Sequence, residues 1–167
     1  PRSTLFPYTT LFRSEGFAEL AKLMETCPPE LKGRLKGLQL QLMIVKERVE
    51  QAAALIKATA DDKQASAEDM NELAWTVYQM ASNPQSKVPK PVIAAAIATA
   101  EKAVAQEPKN AMVIDTLSHL VHLSGDLDRA IKLQEQAVAN VGDAVPPQNA
   151  EQIRQFLDEL KKEKSEK

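Results

Sequence analysis

Apolar residues recur every three or four positions along most of the chain, which is the spacing of one face of an α-helix. The segment "SAEDMNELAWTVYQM" places Met70, Leu73 and Val77 at this spacing, after a Ser66 and Asp69 pair that is typical of a helix capping box. No segment shows the convincing apolar-polar alternation of a half-buried strand. The pattern therefore predicts an all-α fold.

Cap and loop signals divide the chain into separate helices. Asn110 and Asp126 are natural N-caps, and Gly125 is placed to end the helix between them. Three prolines in "SNPQSKVPKP" predict a loop, and Pro91 suits the first turn of the next helix. The resulting order is helix, turn, helix, repeated along the chain.

Two further apolar stripes predict helices nearer the ends of the chain. The first steps by four and three residues down what we expect to be a single helix face, and it comprises Leu31, Leu35, Leu38, Leu42 and Val45. The second follows two prolines at 146 and 147, and it comprises Ile153, Phe156, Leu157 and Leu160. This second stripe predicts a final amphipathic helix, with the charged "KKEKSEK" tail in solvent.

Two stretches of the chain resemble each other at a fixed offset. "AIATAEKAVA" at 96–105 and "AIKLQEQAVA" at 130–139 agree at six of ten positions and begin 34 residues apart. The small residues that they share suit the closest contacts of antiparallel helices. The offset and the helix-turn-helix order resemble the tetratricopeptide repeat (TPR), a helical hairpin of about 34 residues. This resemblance implies a TPR-like solenoid of helical hairpins that ends in a C-terminal capping helix.

We predict four parts along the chain. Residues 1–14 have a composition of their own and match one translated frame of a DNA-sequencing adapter, so we expect an unstructured, adapter-derived segment. Residues 15–65 are expected to hold one helix and a degenerate repeat, residues 66–145 two TPR units, and residues 146–167 the capping helix and tail. We therefore expect the natural protein to begin no earlier than Glu15, and the chain to be a C-terminal fragment.

The segments "DMNELAWTVYQ" and "AEKAVAQEPKNAMVIDTLSHLVHLSGDLDRAIKLQEQAV" also resemble the tetratricopeptide region that follows a thioredoxin-like (redoxin) domain in some large bacterial proteins. Two functions are implied. The first is a non-catalytic protein-interaction scaffold, whose partner is a protein, a peptide or an upstream domain of the same chain. The alternative is an accessory region of a thioredoxin-like thiol oxidoreductase whose catalytic domain lies outside this chain. The compartment stays open between bacterial cytoplasm and periplasm.

Composition argues against a catalytic site within the chain itself. The single cysteine, Cys27, permits no internal disulfide and no Cys-x-x-Cys motif, and neither a Gly-rich phosphate loop nor a His-Glu-x-x-His motif occurs. We therefore predict a chain that is not an enzyme and holds no cofactor or metal. The net charge of −2 becomes −4 without Arg2 and Arg13, so neither nucleic acid nor membrane is an expected partner. The basic stretch is predicted to be a solvated helix face, and it comprises Lys32, Arg34, Lys36, Lys46 and Arg48.

Candidate binding residues come from the TPR register, in which the first helix of each hairpin faces a concave groove. The predicted groove residues are Asn71, Trp75, Tyr78, Asp115, His119 and His122. The spacing of Asp115, His119 and His122 could also place a carboxylate and two imidazoles on one metal ion, or the three could be structural. We adopt the groove interpretation, because three ligands from a single helix would form an incomplete metal site.

Overall fold

The computed structural model describes residues 14–167, and this range is helical, without a strand. Eight helices follow one another within it: α1 (Ser14–Thr26), α2 (Pro29–Val45), α3 (Val49–Asp61), α4 (Ala67–Ala81), α5 (Lys90–Gln106), α6 (Ala111–Leu123), α7 (Leu127–Ala139) and α8 (Pro147–Ser165). The predicted all-α fold class is confirmed. The predicted adapter-derived segment 1–14 lies outside the described residues, except that Ser14 is the first residue of α1.

Side-chain caps begin three helices where the sequence predicts them. Ser66 and Asp69 form the capping box: Ser66 Oγ accepts from the Asp69 N–H at 3.1 Å, and the Asp69 carboxylate accepts from the Ser66 N–H at 3.0 Å. Asn110 Oδ1 accepts from backbone N–H groups in the first turn of α6, and Asp126 Oδ1 accepts from the Arg129 N–H at 3.1 Å. These bonds satisfy N–H groups that have no partner inside a helix, so the predicted N-caps are confirmed.

A residue with left-handed backbone geometry lies in two of the helix connections. Gly125, between α6 and α7, has a φ of 95°, and Glu47, between α2 and α3, has a φ of 56°. Glycine adopts this geometry freely, whereas at Glu47 it costs about 1 kcal/mol. The connection between α4 and α5 is the predicted Pro-rich loop, and Pro91 lies in the first turn of α5.

Each helix packs against its neighbours along the chain, and several also contact the second helix along. Contacts join α2 to α4 and α4 to α6, which places these three helices in one row. Contacts also join α3 to α5, which form a second row. Helix α8 packs against α7 and contacts α6 through aromatic side chains. The first row therefore brings side chains of α2, α4 and α6 to one side of the molecule, next to α8.

Three helices bury the same pattern of positions, spaced by four and then three residues. None of these nine residues is more than 3% exposed, and they are Ala52, Ile56 and Thr59 in α3, Ala96, Ala100 and Ala103 in α5, and Ala130, Gln134 and Ala137 in α7. Small side chains allow helix backbones to approach closely. The Ser118 hydroxyl accordingly donates to the Ala130 carbonyl at 2.8 Å, a direct bond from α6 to the backbone of α7.

The apolar stripe predicted for α2 lies within this helix, but the stripe is only partly buried. Leu31, Leu38 and Val45 are 41%, 36% and 58% exposed. Leu40 and Ile44, which lie outside the predicted stripe, are buried in the core instead. Helix α2 therefore turns a different face towards the rest of the molecule.

Two glycines lie on the face of α2 that meets α4. A methyl group at Gly33 would collide with the Glu72 carboxylate, and one at Gly37 would lie 3.4 Å from Thr76 Oγ1. Gly33 and Gly37 are four residues apart and share a face with Leu40. The backbone of α2 therefore lies close to α4 along this glycine face, and most of the leucine stripe is left exposed.

We expect Ala130→Phe to lower the free energy of unfolding by about 1–3 kcal/mol, the range for overpacking a filled core. Ala130 is completely buried, and its carbonyl already contacts Ser118, so a phenyl ring has no space between α6 and α7. Urea denaturation measures the difference. The matched control is Ala139→Phe at an exposed position of α7, for which we expect a change within about 0.5 kcal/mol. Wild-type stability in Ala130→Phe would contradict this packing.

Candidate functional site

A cavity of about 460 Å³ is lined by side chains from α2, α4, α6 and α8. Its lining residues are Arg34, Glu68, Asn71, Glu72, Trp75, Met112, Asp115, Thr116, Asn149, Gln152 and Ile153. Three of the six predicted groove residues, Asn71, Trp75 and Asp115, are among them. The structure therefore brings half of the predicted set to one concave site.

Tyr78 and His119, two more of the predicted residues, belong to a cluster of rings that includes Trp75. The ring centroids of Trp75 and Tyr78 are 4.8 Å apart, and those of Tyr78 and His119 are 4.4 Å apart. His119 stacks on Phe156 of α8, with centroids 3.6 Å apart and ring planes inclined by 21°. Ring pairs of this kind add about 0.5–1.5 kcal/mol each to the burial of their area. The cluster thus joins α4, α6 and α8 beside the cavity.

His122, the sixth predicted residue, is directed at α8 and is not part of the cavity lining. Its Nε2 donates to Glu163 Oε2 at 2.7 Å, and its ring meets the edge of Phe156 with centroids 5.8 Å apart. Hydrogen bonds from Lys167 and His122 lower the pKa of Glu163. His122 therefore contributes to the contact between α6 and the C-terminal end of α8.

The three residues weighed as metal ligands do not converge on one point. His119 Nε2 lies 3.7 Å from Asp115 Oδ2, while His122 Nε2 is bonded to Glu163. Within residues 14–167, no group of three or more His, Cys, Asp or Glu side chains is placed to hold a metal ion. Instead, Asp115 contacts α7, His119 belongs to the ring cluster, and His122 contacts α8.

Asp115 is a buried carboxylate in the cavity wall. Gln134 Nε2 donates to Asp115 Oδ1 at 2.5 Å and to the Ile153 carbonyl at 2.9 Å, so one buried amide connects α6, α7 and α8. Burial raises the pKa of Asp115 to about 6, and the hydrogen bond from Gln134 opposes this rise. Burial lowers the pKa of His119 to about 4, with a smaller contribution from His122. At neutral pH Asp115 is therefore charged and His119 is not.

Sequence reasoning misses Gln134 and the charged part of the cavity. Gln134 lies at the centre of a buried face of α7 that is otherwise alanine, and this polar residue on an apolar face is the signal that could have identified it. Glu68 and Glu72 are spaced from Trp75 by seven and three residues, so their shared helix face is also readable from the sequence. Arg34 belongs to the basic stretch predicted to face solvent; it is exposed, and it also lines the cavity.

No protein-family model, curated protein or solved structure matches this chain. Among the helices in residues 14–167, none combines the length and apolarity needed to cross a membrane. Function is therefore inferred from the cavity and from the residues that line it.

Proposed function

We propose that the chain is a TPR-like solenoid of helical hairpins, ending in α8 as a cap, and that it acts as a non-catalytic protein-interaction scaffold. The two rows of helices support this proposal, because stacked hairpins place alternate helices side by side. The left-handed residues Glu47 and Gly125, in the connections from α2 to α3 and from α6 to α7, support it too. So does the buried four-and-three pattern that recurs in α3, α5 and α7.

The cavity is the feature that supports a binding function. It is open, and most of its lining side chains are polar. The indole of Trp75 also lines it. The amides of Asn149 and Gln152 each offer donors and an acceptor, which is what the backbone of an extended peptide requires. We therefore propose that the partner presents an extended peptide segment, either from another protein or from another domain of the same protein.

We propose no redox chemistry for this region. Cys27, the only cysteine, is half-buried, and its Sγ–H donates to the Met24 carbonyl at 3.6 Å. Thiol–disulfide exchange requires an accessible thiolate and a second thiol to complete the cycle. If the parent protein is a thiol oxidoreductase, its catalytic cysteines lie in another domain and this region binds that domain.

A random peptide library panned against the whole chain tests the scaffold function. We expect peptides that bind the chain to lose affinity for Trp75→Ala by about 2 kcal/mol or more, because a tryptophan at the centre of an interface is a typical hot spot. Isothermal calorimetry measures both affinities. The matched control is Val45→Ala, which removes exposed apolar surface from α2 outside the cavity lining and should leave Kd unchanged. A library without binders, or equal Kd values for wild type and Trp75→Ala, would contradict the proposal.

A further inference from the structure

The cavity contains more acidic than basic side chains. Glu68 and Glu72 line it from α4, against a single basic residue, Arg34 of α2. Within residues 14–167, none of these three side chains takes part in an ion pair or a side-chain hydrogen bond. The two glutamates therefore have no internal partner among the described residues, and the cavity lining has a net negative formal charge.

Asp115 of α6 is a third carboxylate in the cavity lining. It is more buried than Glu68 and Glu72. Asp115 is only 8% exposed, and its Oδ1 is already bonded to Gln134. Its Oδ2 lies 3.7 Å from His119 Nε2, and no described residue donates a hydrogen bond to it. Asp115 thus lines the cavity with one carboxylate oxygen that accepts no hydrogen bond from the described residues.

Trp75 places its indole ring in the lining of the same cavity. A cation that lies over an indole ring is attracted by the negative face of that ring. An arginine guanidinium is flat, stacks on aromatic rings and carries five N–H donors, so it can contact the ring and neighbouring carboxylates together. The combination of unpaired carboxylates and an indole therefore matches a cationic side chain better than an acidic or an apolar one.

We propose that this cavity binds a cationic side chain of a peptide partner, with arginine as the preferred residue, held by the carboxylates of Glu68 and Glu72 and the ring of Trp75. This inference rests on the proposed scaffold function, because it names the chemistry of the peptide that the scaffold receives. Arg34 limits the net charge of the cavity, and its removal is expected to tighten binding of a cation.

Two small probes that differ in charge test the inference on the whole chain. N-acetyl-arginine amide is cationic, and N-acetyl-citrulline amide has nearly the same shape without the charge. Trp75 is the only tryptophan, so its indole N–H gives a single signal in a nitrogen–proton NMR spectrum. We expect the arginine probe to shift this signal saturably, with a Kd about tenfold lower than that of the citrulline probe.

Variants of single charged residues test whether arginine binds in this cavity. Glu72→Gln should weaken arginine binding several-fold and leave citrulline binding unchanged, whereas Arg34→Gln should strengthen arginine binding. The matched control is Glu25→Gln, an exposed carboxylate of α1 outside the cavity lining, which should change neither Kd.

Three results would overturn the inference: equal Kd values for arginine and citrulline, no shift with either probe, or tighter binding of N-acetyl-glutamate amide. The scaffold function would still stand if library peptides bound and lost affinity for Trp75→Ala. Conversely, a saturable arginine shift together with a library that yields no binder would overturn the scaffold function and leave the cation site in place.

Discussion

Replacing Phe156 with alanine is expected to lower the free energy of unfolding by about 3–5 kcal/mol, the range for truncating a buried aromatic ring. Phe156 is 9% exposed and belongs to the main core, although it lies on the last helix. Truncation removes its stacking on His119, whose ring centroid is 3.6 Å away, and its edge contact with His122. A cavity would remain between α6 and α8, because the helix backbones cannot fully close over it.

The neighbouring residue Gln155 provides the control for Phe156→Ala. Gln155 is exposed on α8 and bonds only Glu151 of the same helix, so Gln155→Ala should change the stability by no more than about 0.5 kcal/mol. Urea denaturation followed by circular dichroism and by Trp75 emission measures the effect with two probes. A loss below about 1 kcal/mol for Phe156→Ala would contradict the packing of α8 on α6. Transitions that do not coincide would mean that α8 detaches in a separate step.

The starts of the helices could be predicted from the sequence because capping is local. The Ser66 capping box and the N-caps Asn110 and Asp126 each involve residues within three positions of one another. The buried face of α8 could also be predicted from a local pattern. The apolar period marks Ile153, Phe156 and Leu160, and all three are buried. Information of this kind needs no knowledge of the partner helix.

The face of α2 could not be predicted in the same way, because it depends on contact between distant segments. Hydrophobicity favoured the stripe that includes Leu31 and Leu38, but the face that contacts Glu72 and Thr76 of α4 is the one with Gly33 and Gly37. An apolar period marks a face that a helix could bury, but it does not show which helix will pack against that face.

Only part of the cavity lining could be named from the sequence. Three of the six predicted groove residues, Asn71, Trp75 and Asp115, line one cavity, and their role as a binding groove stays a prediction. The contacts of His119 and His122 with α8 were not predictable, because the sequence of α8 indicates its buried face but not the helices that it meets. Tertiary packing therefore decides which polar residues stay accessible in the cavity and which support the fold.

We expect the proton shared by Asp115 and His119 to lie on different residues in the folded and unfolded states. In the folded chain, burial raises the pKa of Asp115 from 3.8 to about 6 and lowers that of His119 from 6.5 to about 4. Between those two values, the folded pair keeps one proton on Asp115, and the unfolded pair keeps one proton on His119. Because both states bind the same number of protons, the pair should contribute almost no pH dependence to wild-type stability in this window.

Substituting either residue alone should uncover the titration of the other. Asp115→Asn leaves His119, whose folded pKa is below its unfolded pKa, so stability should rise as the pH increases from about 4 to about 6.5. His119→Phe leaves Asp115, whose folded pKa is above its unfolded pKa, so its contribution is present at low pH and is lost as the pH rises through about 6. A shift of one pKa unit corresponds to about 1.4 kcal/mol, so each variant should differ from wild type by a swing of about 3 kcal/mol across the window.

Urea denaturation at a series of pH values between about 4 and about 7 measures these swings as the difference between each variant and wild type. The difference is the correct quantity because exposed carboxylates with lowered pKa values, such as Asp61 and Asp128, titrate equally in all the proteins. The double variant is the control, and it should recover the shallow wild-type profile since both titrations are gone. Profiles that run parallel in wild type and both single variants would mean that Asp115 and His119 ionise as they do in water. In that case neither side chain would be held in the buried environment between α6, α7 and α8.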